Sequence, residues 1–231
     1  MNQMRQNYVI DNDYQMSRHR VLRNTYWLLA LSMIPTILGA IFGVQIGFSM
    51  IVGGGLMGAL IFLLIAFAFM FAIQKTKNSP IGVVLLLAFT FFMGMMLSGI
   101  LAFALHNFSN GAELIAIAFG GTATILGVMA TIATVSKRDF SGLGSWLFAG
   151  VIMLIIASLL ATVFHLAMMT VVISVLAIAI FSAYILYDVQ QIINGGETNY
   201  ISATLSIYLD IYNIFVNLLN LLMIFSGNSR R

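Results

Sequence analysis

Seven times along this chain of 231 residues an apolar stretch of about 20 residues or more recurs, and that recurrence leaves few ways to fold. The stretches run from Tyr26 to Val44, Met50 to Ile73, Ile81 to Leu105, Ala112 to Val135, Leu143 to Phe164, Met168 to Ile193 and Ile201 to Phe225. At about 1.5 Å per helical residue each can cross a hydrocarbon core of roughly 30 Å, whereas core helices of soluble proteins are shorter. With 61% hydrophobic and 7% charged residues and a mean hydropathy of +1.04, the chain also has too little polar surface to cover a water-soluble domain of this size. The sequence predicts an all-α integral membrane protein of about seven transmembrane helices whose solvent is the lipid bilayer.

Two parts follow: a polar tail over residues 1–24 and a membrane domain over 25–231, with no soluble domain, linker or internal repeat between spans. The tail carries Arg5, Asp11, Asp13, Arg18, Arg20 and Arg23, and it contains no short apolar run with a small-residue cleavage site, so no cleavable signal peptide is read. Cysteine is absent, which excludes disulfides, thiolate metal sites and cysteine nucleophiles. Of the ten basic residues, eight lie in the tail, at Lys75 and Lys77, or at Lys137 and Arg138. The connections after the first, third and fifth segments hold no Lys or Arg. That alternation follows membrane topology rather than nucleic-acid binding, and it puts the N-terminus in the cytoplasm. Seven full spans then place Arg230 and Arg231 outside, while a re-entrant last segment would return them inside; seven spans is the favoured reading. Small residues at close-packing spacing, Gly54 with Gly58, Gly94 with Ser98, and the Gly120, Gly121, Ala123 cluster, are read as contacts between helices.

Carboxylates inside lipid are expensive and become functional candidates by default. Two lie within the apolar segments, Asp188 near the end of the sixth and Asp210 in the middle part of the seventh; Glu113, at a segment edge, reads as an outer helix start. Ser206, Asp210, Asn213, Asn217 and Asn220 follow spacings of four and three, which at roughly 100° per residue keeps them within an arc of about 80°. The seventh helix therefore has one polar stripe, which must face protein or internal water, and is expected to be central. On the sixth segment Tyr184, Asp188 and Gln191 share a face. If the two faces meet, desolvation and like-charge repulsion would leave one proton shared by the pair, a proton-responsive latch. Fully ionised, the pair would offer hard oxygen ligands to Ca²⁺, so proton and cation would compete. The alternative is structural: two carboxylates that hydrogen-bond within the bundle and fix helix register.

Three motifs carry a family resemblance over essentially the whole chain. Tyr187-Asp188-Val189-Gln190-Gln191-Ile192-Ile193 looks like the sixth-helix aspartate motif of the transmembrane Bax inhibitor motif family, and Tyr208-Leu209-Asp210-Ile211-Tyr212-Asn213-Ile214-Phe215 like its seventh-helix motif. Thr90 to Ser98 is similar to the third-helix signature, and Gly195 to Ile201 resembles the loop of the bacterial YccA-like branch. The resemblance implies a seven-helix bundle with the last helix central, and a pH-sensitive Ca²⁺ leak gated by Asp188 and Asp210. Tyr184, Gln191, Ser206, Asn213 and Asn217 are candidate neighbours of that gate by helix spacing. Ca²⁺ is then the transported or bound ion, and no tightly bound cofactor is expected. The arginine that some family members carry on the second helix has no counterpart between Met50 and Ile73. For the YccA-like branch the resemblance implies a bacterial inner-membrane protein that is a substrate and modulator of the membrane AAA protease FtsH, with residues 1–24 as the handle.

Enzymatic readings are weaker. Intramembrane aspartyl proteases also pair two helical aspartates, one in Tyr-Asp, but the expected Gly-x-Gly-Asp is replaced by Ile207-Tyr208-Leu209-Asp210, and no proline follows Pro80. Ser145 and His165 fall at opposite ends of one helix, roughly 30 Å apart. His19, His106 and His165 form no pair at helical spacing, and the fifteen methionines show no regular repeat, so metal chemistry is not indicated. The chain is read as a non-enzyme.

Overall fold

The computed structural model describes residues 2–48, 56–136, 138–164 and 166–228. Gly54, Lys137, His165, Arg230 and Arg231 lie outside the described residues, as do the side chains of Arg5, Asp11 and Asp13. Among the described residues there are seven α-helices: α1 (Asn2–Ile46), α2 (Leu56–Thr76), α3 (Pro80–Asn107), α4 (Gly111–Val135), α5 (Gly144–Val163), α6 (Ala167–Asn194) and α7 (Tyr200–Asn228). A single 3₁₀ turn, Ser141–Leu143, precedes α5, and no strand occurs among the described residues.

Six of the helices are long and apolar enough to cross a membrane; the apolar stretch of α2 is shorter, Leu60–Thr76, and its sequence segment begins in residues outside the description. The helices face lipid with large apolar side chains such as Trp27, Leu64, Trp146 and Met168, all strongly exposed from the protein. Such exposure would be untenable in water and is what a bilayer requires. The last segment is an unbroken helix, with Tyr200–Gly227 alone covering 28 residues, so it spans rather than re-enters. In α1 the polar segment of residues 2–24 is helical and continuous with the first span, although no apolar periodicity announces it.

The expectation for α7 holds: it packs against α1, α2, α3, α4 and α6, and only α5 does not reach it. Its inner half joins a core of Leu86, Phe89, Ile185, Val189, Ile207 and Tyr208, and its outer half a smaller cluster with Ala104, Leu114, Ala118, Leu219 and Met223. The hydroxyl of Tyr208, 1% exposed, shares a hydrogen bond of 2.9 Å with Thr36 Oγ1 and so ties α7 to α1.

The closest pairing is α1 with α3. A methyl on Gly94 would run into the carbonyl of Thr36, and one on Gly39 into the carbonyl of Phe91, so backbones touch where side chains are missing. Gly94 thus packs as expected, against the backbone at Thr36 and Ala40, and Ser98 against Gly43; Gly39 and Gly43 are contacts the spacing argument had not singled out. Gly121 meets only the flexible side chain of Leu218. Gly120 faces open space, which corrects its assignment to a helix contact.

Candidate functional site: an aspartate pair between the last two helices

Two helix ends and the turn between them position the site. The chain leaves α6 through Gly195, whose φ of 79° is left-handed and costs glycine little, while the N–H groups of Gly196 and Glu197 both donate to the carbonyl of Gln191. Asn199 then starts α7 by accepting, through Oδ1, the N–H groups of Ile201 and Ser202 at 2.9 and 3.2 Å. The side-chain amide of Asn199 also donates to Lys77 O and to Asn78 Oδ1, each at 2.9 Å, which pins the α2–α3 turn to the α6–α7 turn.

Asp188 lies six residues before the end of α6 and Asp210 ten after the start of α7, an axial offset of about 6 Å. Both helices stay continuous, so the offset is taken up in their relative placement and in residues 195–199. The carboxyl groups nevertheless come within hydrogen-bonding reach of each other. A hydrogen bond between two carboxyl groups needs a proton on one of them, which then donates to the other. Asp210 is 5% exposed, and its Oδ2 is buried without a hydrogen-bond partner. Tyr184 lies within electrostatic reach of both acids, and Glu197 within reach of Asp188.

The other candidates take different places. Asn213 and Asn217 donate to carbonyls one turn back in α7, Leu209 O and Asn213 O, at 2.8 Å each. Ser206 is exposed, and Gln191 lies with its Oε1 against Gly196 at the end of α6. Of the residues grouped by helix spacing, the structure therefore brings Tyr184, Asp188 and Asp210 together. Asp188 and Asp210 are also the only acids so joined among the described residues, where no group of three or more His, Asp or Glu could hold a metal ion. Ca²⁺ commonly takes about six to eight oxygens, so two carboxyls and a hydroxyl would fill only part of its shell.

Residues not foreseen hold the connections at the same end of the bundle. Gln190, 5% exposed, accepts the N–H of Phe140 and donates to the carbonyl of Arg138, both at 2.6 Å, holding the α4–α5 connection onto α6 two residues from Asp188. Arg18 of α1 donates to Ile193 O at 3.3 Å, where a side chain on Gly195 would crowd its guanidinium. In that connection Asp139 accepts the backbone N–H of Ser141, and this bond, with a further one from the Ser141 side chain, holds its exposed carboxyl below the usual carboxylate range. Helix spacing could have found none of these, although an Asn just before an apolar run is a helix-start signal and fits Asn199.

A helical membrane bundle whose central last helix carries the buried carboxylate of an aspartate pair defines the class. Residues 18–227 match the model of the family described as inhibitor of apoptosis-promoting Bax1, and the chain belongs to that Bax inhibitor family. It is 38% identical to an uncharacterized membrane protein of Vibrio cholerae, over 92% of this chain and 93% of that one. It is 37% identical to a protein of Escherichia coli K12 named modulator of FtsH protease YccA, over 92% and 93% of the two chains. The same identity and coverage hold for a protein of another E. coli strain named inner membrane protein YccA.

Proposed function

We propose that this chain is an inner-membrane modulator of an FtsH-type membrane protease, and that residues 1–24 are the part the protease handles. The observation that carries the reading is the match, over 92% of the chain, to a relative named for that role. The continuity of α1 from Asn2 to Ile46 supports the handle, since force or binding on the polar segment is transmitted directly into the first span. The test is deletion of Met1–Ser17, which keeps Arg18 and its bond to Ile193 O. Association with FtsH in detergent extracts should fall while thermal stability stays unchanged. Undiminished association would overturn the tail as handle.

A second reading rests on a different observation, the closely placed Asp188–Asp210 pair with an unpartnered oxygen on Asp210. Such a pair can exchange one proton for part of a cation's ligand shell, the requirement for a pH-sensitive Ca²⁺ leak. Ca²⁺ entry into dye-loaded liposomes, followed from about pH 5.5 to about pH 8, tests it. Flux that varies with pH in the wild type and loses that variation in Asp188→Asn and Asp210→Asn supports the gate. Absence of protein-dependent flux at every pH would remove it and leave the protease reading alone. Hydrolysis is not proposed, because the second aspartate lacks the glycines of the aspartyl-protease motif.

A further inference from the structure

A wide apolar groove runs along the flank of the bundle between α1 and α4, two helices that do not touch each other. Its volume is about 930 Å³, α7 supplies its floor at Tyr208, Tyr212 and Phe215, and small side chains such as Ala30 and Ala116 keep its walls apart. That volume lies at the upper end of the roughly 300–1,000 Å³ typical of sites that enclose a small ligand. The groove is walled by membrane spans, so its occupant is apolar over most of its length.

Charge at one end narrows the choice. On α1 the lining residues Tyr26, Ala30, Met33, Ile37, Ala40 and Val44 alternate at spacings of four and three and share one face. The same spacing continued towards the N-terminus gives Arg23 and then His19, both exposed, one and two turns beyond Tyr26. By helix spacing, Arg23 and His19 thus continue the groove-lining face of α1 beyond Tyr26, on the side of the basic connections. Basic pockets between transmembrane helices on that side suit anionic lipid head groups.

We propose that the groove between α1 and α4 binds an anionic phospholipid, with an acyl chain along the face from Tyr26 to Val44 and the phosphate at Arg23 and His19. The acyl chain meets the apolar walls, and the guanidinium supplies charge-assisted hydrogen bonds that a neutral head group cannot match as well.

Native mass spectrometry of the full-length protein, equilibrated with equal amounts of phosphatidylglycerol and phosphatidylethanolamine bearing identical acyl chains, tests this. Wild type should retain phosphatidylglycerol in preference, by roughly fivefold for one basic residue near the surface. Arg23→Gln, at an exposed position, should bring the ratio close to one. Ala116→Phe, also exposed and therefore compatible with folding, should lower retention of both lipids by filling the groove. An unselective wild type, an unchanged ratio in Arg23→Gln, or undiminished retention in Ala116→Phe would each overturn the proposal. Retention of neither lipid would overturn it as well and return the groove to a protein partner.

Discussion

Single polar side chains hold the inner end of this bundle together, and their removal should be costly in proportion to what each strands. Gln190 satisfies the N–H of Phe140 and the carbonyl of Arg138. Gln190→Leu keeps a side chain of similar size but leaves both backbone groups unpaired, so stability should fall by about 1–3 kcal/mol. Tyr208→Phe should cost less, about 0.5–1.5 kcal/mol, because Thr36 keeps its bond to Ser32 O when the tyrosine hydroxyl is gone. Reversible unfolding of the two variants in the same detergent would check the order. Asp139 provides a control for the proton gate. Hydrogen bonds from Ser141 depress its pKa, so whatever it contributes is present above the ordinary carboxylate range and is lost only as pH falls through its lowered value. It is ionised throughout the range from about pH 5.5 to about pH 8. Asp139→Asn should therefore leave the pH profile of any Ca²⁺ flux unchanged, whereas Asp210→Asn should flatten it. A profile altered by Asp139→Asn would move the titrating group out of the membrane.

Among the helices, the two glycines that were grouped together by small-residue spacing should behave in opposite ways. Gly94→Ala sets a methyl against the Thr36 carbonyl, a backbone atom that cannot rotate aside, so α1 and α3 must separate. Overpacking of this kind costs about 1–3 kcal/mol. Gly120→Ala meets nothing within reach and should be neutral or gain roughly 0.5–1 kcal/mol from helix propensity. The same unfolding measurement separates the two, and equal destabilisation would contradict the packing described. The contrast also marks how far the sequence could be read. Seven spans were legible because hydropathy over 20 residues is a property of one segment, and the central place of α7 because a polar stripe in lipid must turn inward. Which glycine touches which carbonyl depends on a partner 50 or more residues away, as with Gly39 and Phe91, and no local pattern encodes it. The site divides in the same way. Asp188, Asp210 and Tyr184 stood out as polar groups in apolar helices, while Gln190, Asn199 and Arg18 act on distant connections and resembled ordinary polar residues near helix ends.

For the whole molecule, seven crossings, with α2 completing the six longer spans, would put the two termini on opposite sides of the membrane. Arg18, Arg20, Arg23, Lys75, Lys77 and Arg138 then share one side, and the α3–α4 connection with the end of α7 the other. Contacts respect this division: Asn199, Gln190 and Arg18 gather the inner connections onto the α6–α7 turn, and at the far end the Ser226 hydroxyl donates to Asn110 Oδ1 at 3.4 Å. Positive residues are retained on the cytoplasmic side, so the α6–α7 turn and the approach to Asp188 should open to the cytoplasm. The absence of native cysteine makes this directly measurable. Arg20→Cys and Gly227→Cys, both at exposed positions, give one thiol each near opposite ends. In intact spheroplasts a membrane-impermeant maleimide should label Gly227→Cys and spare Arg20→Cys; in inverted vesicles the pattern should reverse. Labelling of both from one side would mean an even number of crossings. The shorter apolar helix, α2, would then be the segment that does not cross, and α7 would keep its full span.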